Sequence, residues 1–251
     1  MADKSTWEHF GSKNPYYGVA TIDGFRGEEL GDDVRAAFFE SGETHVSEIW
    51  SEIERSFFPD FKPQNAVDYG CGVGRLAIPM AKRCGSVKGV DISSTMLTAT
   101  DVNAKKAGLS NLKLENSERF MISGESDFDF VHAYIVLQHI DHAEGLRVIA
   151  RLIDGLKPGG IGAIHVTYRD PAPRFAQIRA ALYLKFPILF SLRNRFKKTA
   201  LEPMMRMTVY DLNSVFGILQ DKGCHRSLVR MTFHGFDGAM IIFQKSPGLL
   251  A

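Results

Sequence analysis

The stretch VDYGCGVGR, residues 67–75, places three glycines in five positions directly behind a short apolar run. Glycine lets a backbone approach a ligand with no Cβ in the way, and it adopts left-handed conformations at little cost. The pattern therefore predicts a strand that ends in a glycine-rich binding loop. Its spacing over Gly70, Gly72 and Gly74 is G-x-G-x-G, one residue shorter than the G-x-G-x-x-G fingerprint of dinucleotide-binding folds.

From residue 65 onward, short apolar runs alternate with helix-like segments, which predicts parallel strands joined by crossover helices. The predicted parallel strands are NAVDYG (65–70), VKGVDI (87–92), NLKLEN (111–116), FDFVHAYIV (128–136) and IGAIHVTY (161–168). Two later runs, SLVRMTF (227–233) and AMIIFQK (239–245), are separated only by the short turn HGFDG. This spacing predicts an antiparallel hairpin at the end of the sheet.

Helical periodicity predicts helices in the connections between these strands. The segments are residues 73–85, 94–108, 140–156 and 208–223. Pro79 lies inside the first segment and predicts a distorted turn there. Thr208 and Asp211 form a capping-box pattern at the start of the last segment, and Gly223 marks its end.

Five βα units closed by an antiparallel hairpin resemble the class I S-adenosylmethionine (SAM)-dependent methyltransferases, over roughly residues 60–245. Asp68 and the glycines after it also fit the D-x-G-x-G-x-G pattern of that family. The resemblance implies a Rossmann-like α/β fold: a seven-stranded, mostly parallel sheet with helices on both faces and one antiparallel strand near the C-terminus, plus a helical insert. It implies SAM as the cofactor and S-adenosylhomocysteine (SAH) as the product.

On this basis we divide the chain into two parts. Residues 1–60 are predicted to be an N-terminal helical arm that covers the cofactor site. Residues 61–251 are predicted to be the SAM-binding methyltransferase domain, with a lid-like insert at residues 171–207.

Asp91 stands at the end of the second predicted strand, 21 residues beyond Gly70. An acid at this position accepts hydrogen bonds from ribose hydroxyls, in dinucleotide and SAM sites alike. Ser117 and Glu118 stand where the family often has Gly and Asp. The resemblance implies a cofactor site made of Asp68, Gly70, Cys71, Gly72, Gly74, Asp91, Ile92, Met96, Ser117, Glu118, Ala133, Tyr134 and Tyr17.

The sequence indicates the residues that would contact the methyl acceptor less clearly than those of the cofactor site. Methyl transfer from a sulfonium mainly requires alignment of donor and acceptor, so it needs no special catalytic motif. Ligands of open α/β sheets lie beyond the carboxyl ends of the strands, which indicates Tyr134, His139 and His234 as catalytic candidates. For each histidine a packing role is the alternative. The three cysteines are far apart in the sequence and have no metal-ligand spacing, so no metal is expected.

Charge is distributed unevenly along a chain whose net charge is only +1. Residues 1–60 hold 13 acidic and 5 basic residues, a balance of −8, whereas residues 171–200 hold 7 basic residues and no acidic one. Near-neutrality of the whole chain argues against nucleic-acid binding. The basic segment, with Arg174, Arg179, Arg193 and Arg195, could face an anionic substrate, a lipid head group, the acidic arm or water.

The sequence thus predicts a methyltransferase that modifies an O or N atom of a small molecule, with anionic, glycan-related and natural-product acceptors all open. An NAD-dependent oxidoreductase and a non-catalytic SAM-binding scaffold are the alternatives. The polar N-terminus and the lack of a long apolar run predict a cytoplasmic protein without a transmembrane segment. Both a monomer and a homodimer are compatible with the sequence.

Overall fold

The computed structural model describes residues 4–186, 188–190, 193–194 and 202–247. Its strands are β1 (Asn65–Tyr69), β2 (Ser86–Asp91), β3 (Leu112–Asn116), β4 (Phe128–Ala133), β5 (Leu156–Arg169), β6 (Arg226–Phe233) and β7 (Asp237–Gln244). They form one sheet in the order β3-β2-β1-β4-β5-β7-β6, in which β7 pairs antiparallel with both β5 and β6 and the pairs from β3 to β5 are parallel. The predicted Rossmann-like α/β architecture is confirmed.

Helices flank this sheet and precede it. They are α1 (Lys4–Lys13), α2 (Pro15–Val19), α3 (Asp32–Ser56), α4 (Ala77–Ala81), α5 (Ser94–Lys106), α6 (Ser117–Ile122), α7 (His142–Gly155), α8 (Arg174–Lys185) and α9 (Leu212–Asp221). Short 3-10 turns occupy Asp23–Phe25 and Leu137–His139. Within the described ranges, no helix is both long and apolar enough to span a membrane.

The core lies on both faces of the sheet, because successive strand residues point to opposite sides. On one face, Ala66 of β1 and Phe130 of β4 pack in the cluster that contains Ile49 and Ile53 of α3. On the other face, Val67 of β1 belongs to a second core cluster, which includes buried residues of α7 and α9. This two-sided burial explains why the central strands are nearly continuous apolar runs.

Two helix predictions need correction. The segment 73–85 forms only the short α4, and Pro79 lies in its first turn, where a helix needs no N–H from that residue. The capping-box prediction is wrong. The α9 N-cap is Asp211, whose carboxylate accepts from the backbone N–H groups of the next turn, whereas Thr208 donates its N–H to the carbonyl of Gln138.

The fourth strand is shorter than its apolar run. It ends at Ala133, and the chain turns away at Ile135, which has a positive φ of 57°. A β-branched residue in the left-handed region is strained, at a cost of about 1–3 kcal/mol. Ile135 lies on the wall of the cavity described below, so the strain is located at that cavity.

The insert at 171–207 is only partly described. Its main element is α8, none of whose side chains is buried, and Phe175 and Ile178 on it are strongly exposed. Arg193 lies over the rings of Tyr183 and Phe190, at 5.8 and 5.6 Å from their centroids. Residues 195–201, including Arg195 of the basic segment, lie outside the described residues. The lid role of the insert stays a prediction.

Candidate functional site

A cavity of about 510 Å³ lies at the carboxyl ends of β1 to β4, where an open α/β sheet binds its ligands. Helices α1 and α2 contribute Trp7, Gly18 and Val19 to its wall. The wall contains most of the residues that the sequence indicated: Asp68, Gly70, Cys71, Gly72, Asp91, Ile92, Met96, Ser117, Glu118, Tyr134 and His139. Residues far apart in the sequence therefore converge on one site.

The glycine-rich loop after β1 leaves no room for side chains. Gly70 has a φ of +79°, and a Cβ placed on it would lie 2.3 Å from a methyl carbon of Val136. A Cβ on Gly72, at a φ of +55°, would lie 2.4 Å from a methyl carbon of Val19. The Gly70 N–H donates to the carbonyl of Val90 at 2.7 Å, which ties the loop to the end of β2. The loop thus presents bare backbone to the cavity.

Asp91 holds this loop from the end of β2. One carboxylate oxygen accepts from the Gly72 N–H at 2.9 Å, and the other accepts from the Ser93 N–H at 2.9 Å. Burial raises the pKa of Asp91 to about 6, against the opposing effect of these backbone hydrogen bonds. The carboxylate stands beside Ile92 and Met96 on the cavity wall. It can accept hydrogen bonds from the hydroxyl groups of a ribose at this position.

The second acidic residue of the site, Asp68, is held by a series of buried, hydrogen-bonded side chains. Asp68 Oδ1 lies 3.0 Å from His132 Nδ1, and His132 Nε2 lies 3.2 Å from His45 Nε2. Burial lowers the pKa of His45 to about 2, so this ring is neutral at physiological pH. The other oxygen of Asp68, Oδ2, is buried and has no hydrogen-bond partner among the described residues.

Tyr134 lies between His45, the end of this series of hydrogen-bonded side chains, and His234, on the side of the cavity predicted to hold the methyl acceptor. Its ring packs on His45 with a centroid separation of 3.9 Å, and its hydroxyl lies 3.0 Å from His234 Nε2. Burial raises the pKa of Tyr134 and lowers that of His234, so both are neutral near pH 7. His234, in the β6–β7 turn, is not itself part of the cavity wall, and the hydroxyl of Tyr134 connects it to the site.

Both ring nitrogens of His139 contact protein groups. Its Nδ1 lies 2.7 Å from the carbonyl oxygen of Arg206, and its Nε2 lies 3.3 Å from the side-chain amide of Gln138. Burial lowers its pKa to about 4. His139 therefore fixes the segment before α9 to the cavity wall, in agreement with the packing alternative.

Three predicted cofactor residues do not reach the cavity wall. Gly74 has a φ of +89° and packs beside Thr100, so it shapes the turn into α4. Ala133 is fully buried in the core on the α7 face. Tyr17 lies beneath the guanidinium of Arg26, 3.6 Å from its ring centroid, and lines a neighbouring cavity of about 440 Å³.

Glu8 on α1 was not indicated by the sequence, although it attaches the arm to the site. Its carboxylate accepts from the Ser94 N–H at 2.7 Å and from the Thr95 hydroxyl at 2.7 Å, at the N-terminus of α5. Burial acts to raise the pKa of Glu8, but the hydrogen bonds from Thr95 and Ser94 outweigh it and lower the pKa to about 2. This contact holds Trp7 against the cavity.

The variant Glu8→Gln is expected to lose about 1 kcal/mol of folding stability at pH 7, as for other capping contacts at helix N-termini. Because the folded pKa is depressed, the contribution of Glu8 is complete above pH 4.5 and is lost as the pH falls toward 2. The Tm difference between the variant and the wild type should therefore shrink over that range. The exposed Glu28, paired with Lys13, supplies the control Glu28→Gln, which should change Tm little. A difference that is constant with pH would contradict this role of Glu8.

Comparison with known proteins agrees with this site. Residues 66–160 match the family model described as a methyltransferase domain. The chain is 34% identical over 125 residues to a ubiquinone biosynthesis O-methyltransferase of Dinoroseobacter shibae, covering 49% of each chain. It is 34% identical over 118 residues to a trans-aconitate 2-methyltransferase of Deinococcus radiodurans, covering 45% of this chain and 41% of the relative. The match thus spans about half the length of these curated relatives.

Solved structures extend the likeness of the fold to nearly the whole chain. The magnesium protoporphyrin IX methyltransferase of Synechocystis, with bound SAH, superposes with a TM-score of 0.63 at 18% identity, covering 97% of this chain and all of the other. The N-methyltransferase NodS of Bradyrhizobium japonicum, also with SAH, gives a TM-score of 0.59 at 13% identity, covering 98% and 99%.

The fold is therefore that of the class I SAM-dependent methyltransferases, as the motif pattern predicted. In sequence, the likeness to a methyltransferase domain covers residues 66–160, which include the glycine loop and Asp91.

Proposed function

We propose that this protein is a SAM-dependent methyltransferase that methylates an oxygen atom of a small molecule. The proposal rests on one observation: a glycine loop that tolerates no Cβ and the carboxylate of Asp91 face one cavity at the strand ends. The matched relatives named as O-methyltransferases support the choice of oxygen. The proposal is narrower than the prediction from the sequence, which allowed either an O or an N atom of the acceptor.

The cavity residues suit the parts of SAM. Asp91 would accept the ribose hydroxyls, and Ile92 and Met96 would pack against the adenine. Ser117 and Glu118 would lie near the polar edge of the base, and the bare loop would face the amino-acid end. SAM supplies an electrophilic methyl group on a sulfonium. The aromatic face of Tyr134 would attract this positive charge.

The hydroxyl of Tyr134 and the ring of His234 offer a route for the proton that an acceptor hydroxyl loses. When a bound SAM supplies its methyl group, the acceptor oxygen would lose its proton. Its proton would pass to the oxygen of Tyr134, whose own proton would pass to Nε2 of His234, 3.0 Å away. Burial lowers the pKa of His234, so the ring is unprotonated and able to accept near pH 7.

The arm and the insert would shape the acceptor side. Trp7, Gly18 and Val19 of the arm line the cavity, which supports its predicted covering role. The basic residues of the insert favour an anionic acceptor. Partners are expected to be small molecules rather than nucleic acid, and the cytoplasm is the expected location.

Incubation with SAM labelled on its methyl group tests the proposal. Separate pools of phenols, carboxylic acids and amines serve as acceptors, with the Asp91→Ala variant as the control. Label is expected in a phenol or carboxylic acid product with the wild type only. SAH binding without transfer to any pool would favour a scaffold protein, and transfer only to amines would contradict the oxygen assignment.

The variant Tyr134→Phe is expected to lower kcat about 100-fold, because it removes the hydroxyl that relays the proton. SAH affinity should be unchanged, since the aromatic ring remains. The exposed His225, converted to alanine, should leave kcat unaffected. Equal kcat in Tyr134→Phe and wild type, measured with the acceptor found above, would exclude the relay.

A further inference from the structure

Helix α8 of the insert presents its large apolar side chains to solvent. Phe175, Ile178 and Leu182 are 69%, 58% and 46% exposed, whereas the small Ala176 and Ala180 are on the half-buried side. A helix that packs on a core has the reverse arrangement, with its large apolar residues turned toward the protein. Packing within this chain therefore does not account for the apolar residues of α8.

The outward direction of these side chains is fixed at the start of the helix. The side-chain amide of Gln177 donates to the carbonyl of Asp170 at 3.2 Å and to that of Ala172 at 2.8 Å. Because each residue turns an α-helix by about 100°, Gln177 lies on the side of α8 opposite Phe175 and Leu182. Gln177 thus holds one side of the helix on the segment that leaves β5, and the apolar side faces outward.

Cations border the apolar side. Its three apolar side chains fall within about 60° around the helix axis. Arg174 and Lys185 lie along one edge of this stripe, and Arg179 lies along the other. In the part of the chain that the structure describes, none of these cations has a carboxylate within 4.0 Å. The outward face of α8 is therefore an apolar stripe with cations along both edges.

This face belongs neither to the cofactor cavity nor to the cavity beside it. The described walls of the two cavities contain no residue of α8, although Arg193, further along the insert, lines the second one. The acidic arm does not neutralise α8 either, since the insert contacts the arm through an acid, Glu202, which pairs with Arg26. The apolar and cationic groups of α8 are thus open to a partner outside this chain.

We propose that α8 is the face through which this protein docks on the surface of an anionic lipid bilayer. The inference goes beyond the proposed function and does not depend on it. A helix with an apolar stripe between cations lies in the plane of the bilayer interface, its apolar side chains among the acyl chains and its cations at the lipid phosphates. The 12 residues of α8 extend about 18 Å, which suits this position.

A second copy of this chain is the competing occupant of the face. Pairing two α8 helices through their apolar stripes would bring the same cations together, and residues 171–200 contain no acidic residue to separate them. Like charges brought together in an interface oppose association. An anionic lipid surface has the opposite charge, so the charge of α8 favours the bilayer.

Sedimentation with lipid vesicles tests the proposal. The full chain is mixed with phosphatidylcholine vesicles that either contain or lack phosphatidylglycerol, the anionic lipid. Wild type is expected to bind the anionic vesicles more than about 30-fold more tightly than the neutral ones. Arg174→Gln/Arg179→Gln should lose about 30-fold on anionic vesicles, because each cation near such a surface contributes about fivefold. Phe175→Gln/Ile178→Gln should lose at least about 10-fold, because less apolar area is buried.

Matched controls make the same chemical changes elsewhere on the surface. Lys105→Gln/Arg147→Gln removes two cations that are each 73% exposed, on α5 and α7, and changes the net charge by the same amount. Val102→Gln/Met231→Gln removes two exposed apolar side chains, on α5 and β6. Both controls should bind anionic vesicles within about twofold of wild type. The α8 variants should keep the wild-type Tm, because no side chain of α8 is buried.

Equal wild-type binding to anionic and neutral vesicles, or binding to neither, would overturn the proposal. Equal losses in the α8 variants and in their controls would also overturn it, because binding would then follow the charge of the whole surface. Light scattering without vesicles tests the competing occupant. A wild-type dimer that Phe175→Gln/Ile178→Gln converts to a monomer, with no vesicle binding, would assign the face to a second copy.

Discussion

Replacing Gly70 by alanine is expected to lower SAH affinity more than about 100-fold. The residue has a φ of +79°, and the new Cβ would lie 2.3 and 2.5 Å from side-chain atoms of Val136. Strain of about 3 kcal/mol can be relieved only by moving the loop or the cavity wall, and that energy corresponds to this change in affinity. Movement would also break the Gly70 N–H bond to Val90 that holds the loop on β2. Calorimetric titration with SAH measures the loss.

Gly108, at the end of α5, provides a matched control. Its φ of +71° is similar, but nothing lies within 4 Å of the Cβ position. Gly108→Ala should therefore cost about 1 kcal/mol of stability from backbone strain alone and leave SAH affinity unchanged. If Gly70→Ala binds SAH as well as Gly108→Ala does, the loop does not form the cofactor site.

Asp91→Ala is the second change with a large expected effect, again about 100-fold weaker SAH binding. Two hydrogen bonds from ribose hydroxyls to an ionised carboxylate would be lost, each contributing about 1.5 kcal/mol or more. The N–H groups of Gly72 and Ser93 would also lose their acceptor, so the loop itself would loosen. The same titration measures this loss.

The pKa of Asp91 adds a pH signature. The carboxyl has a pKa of about 6, so it is ionised above pH 6 and takes up a proton as the pH falls through 6. Wild-type SAH affinity should therefore fall between pH 7.5 and pH 5, and Asp91→Ala should lack this dependence. Asp101→Ala on the outer side of α5 removes a surface acid paired with Lys105 and should behave as wild type. A wild-type affinity that is constant over this range would count against the ribose assignment.

The order of the elements was predictable because it is encoded locally. Strands buried on both faces are short apolar runs, and the turns at Gly108 and Gly223 have the positive φ that glycine tolerates. Local patterns failed at α4 and at the α9 cap. At α4, Pro79 lies in the first turn of a short helix rather than inside a long one. At α9, Thr208 donates its N–H to the carbonyl of Gln138 instead of capping the helix.

The candidate site was predictable only in its cofactor half. Asp91 and the loop glycines belong to a motif with fixed spacing, whereas Glu8 and His45 act on partners more than 80 positions away.

The most direct test of the central claim is calorimetric titration of the wild-type protein with SAH and, separately, with NAD. The glycine spacing, the cavity and the fold predict binding of one SAH per chain and no heat of binding with NAD. Binding of NAD together with no detectable binding of SAH would contradict the assignment and favour an oxidoreductase.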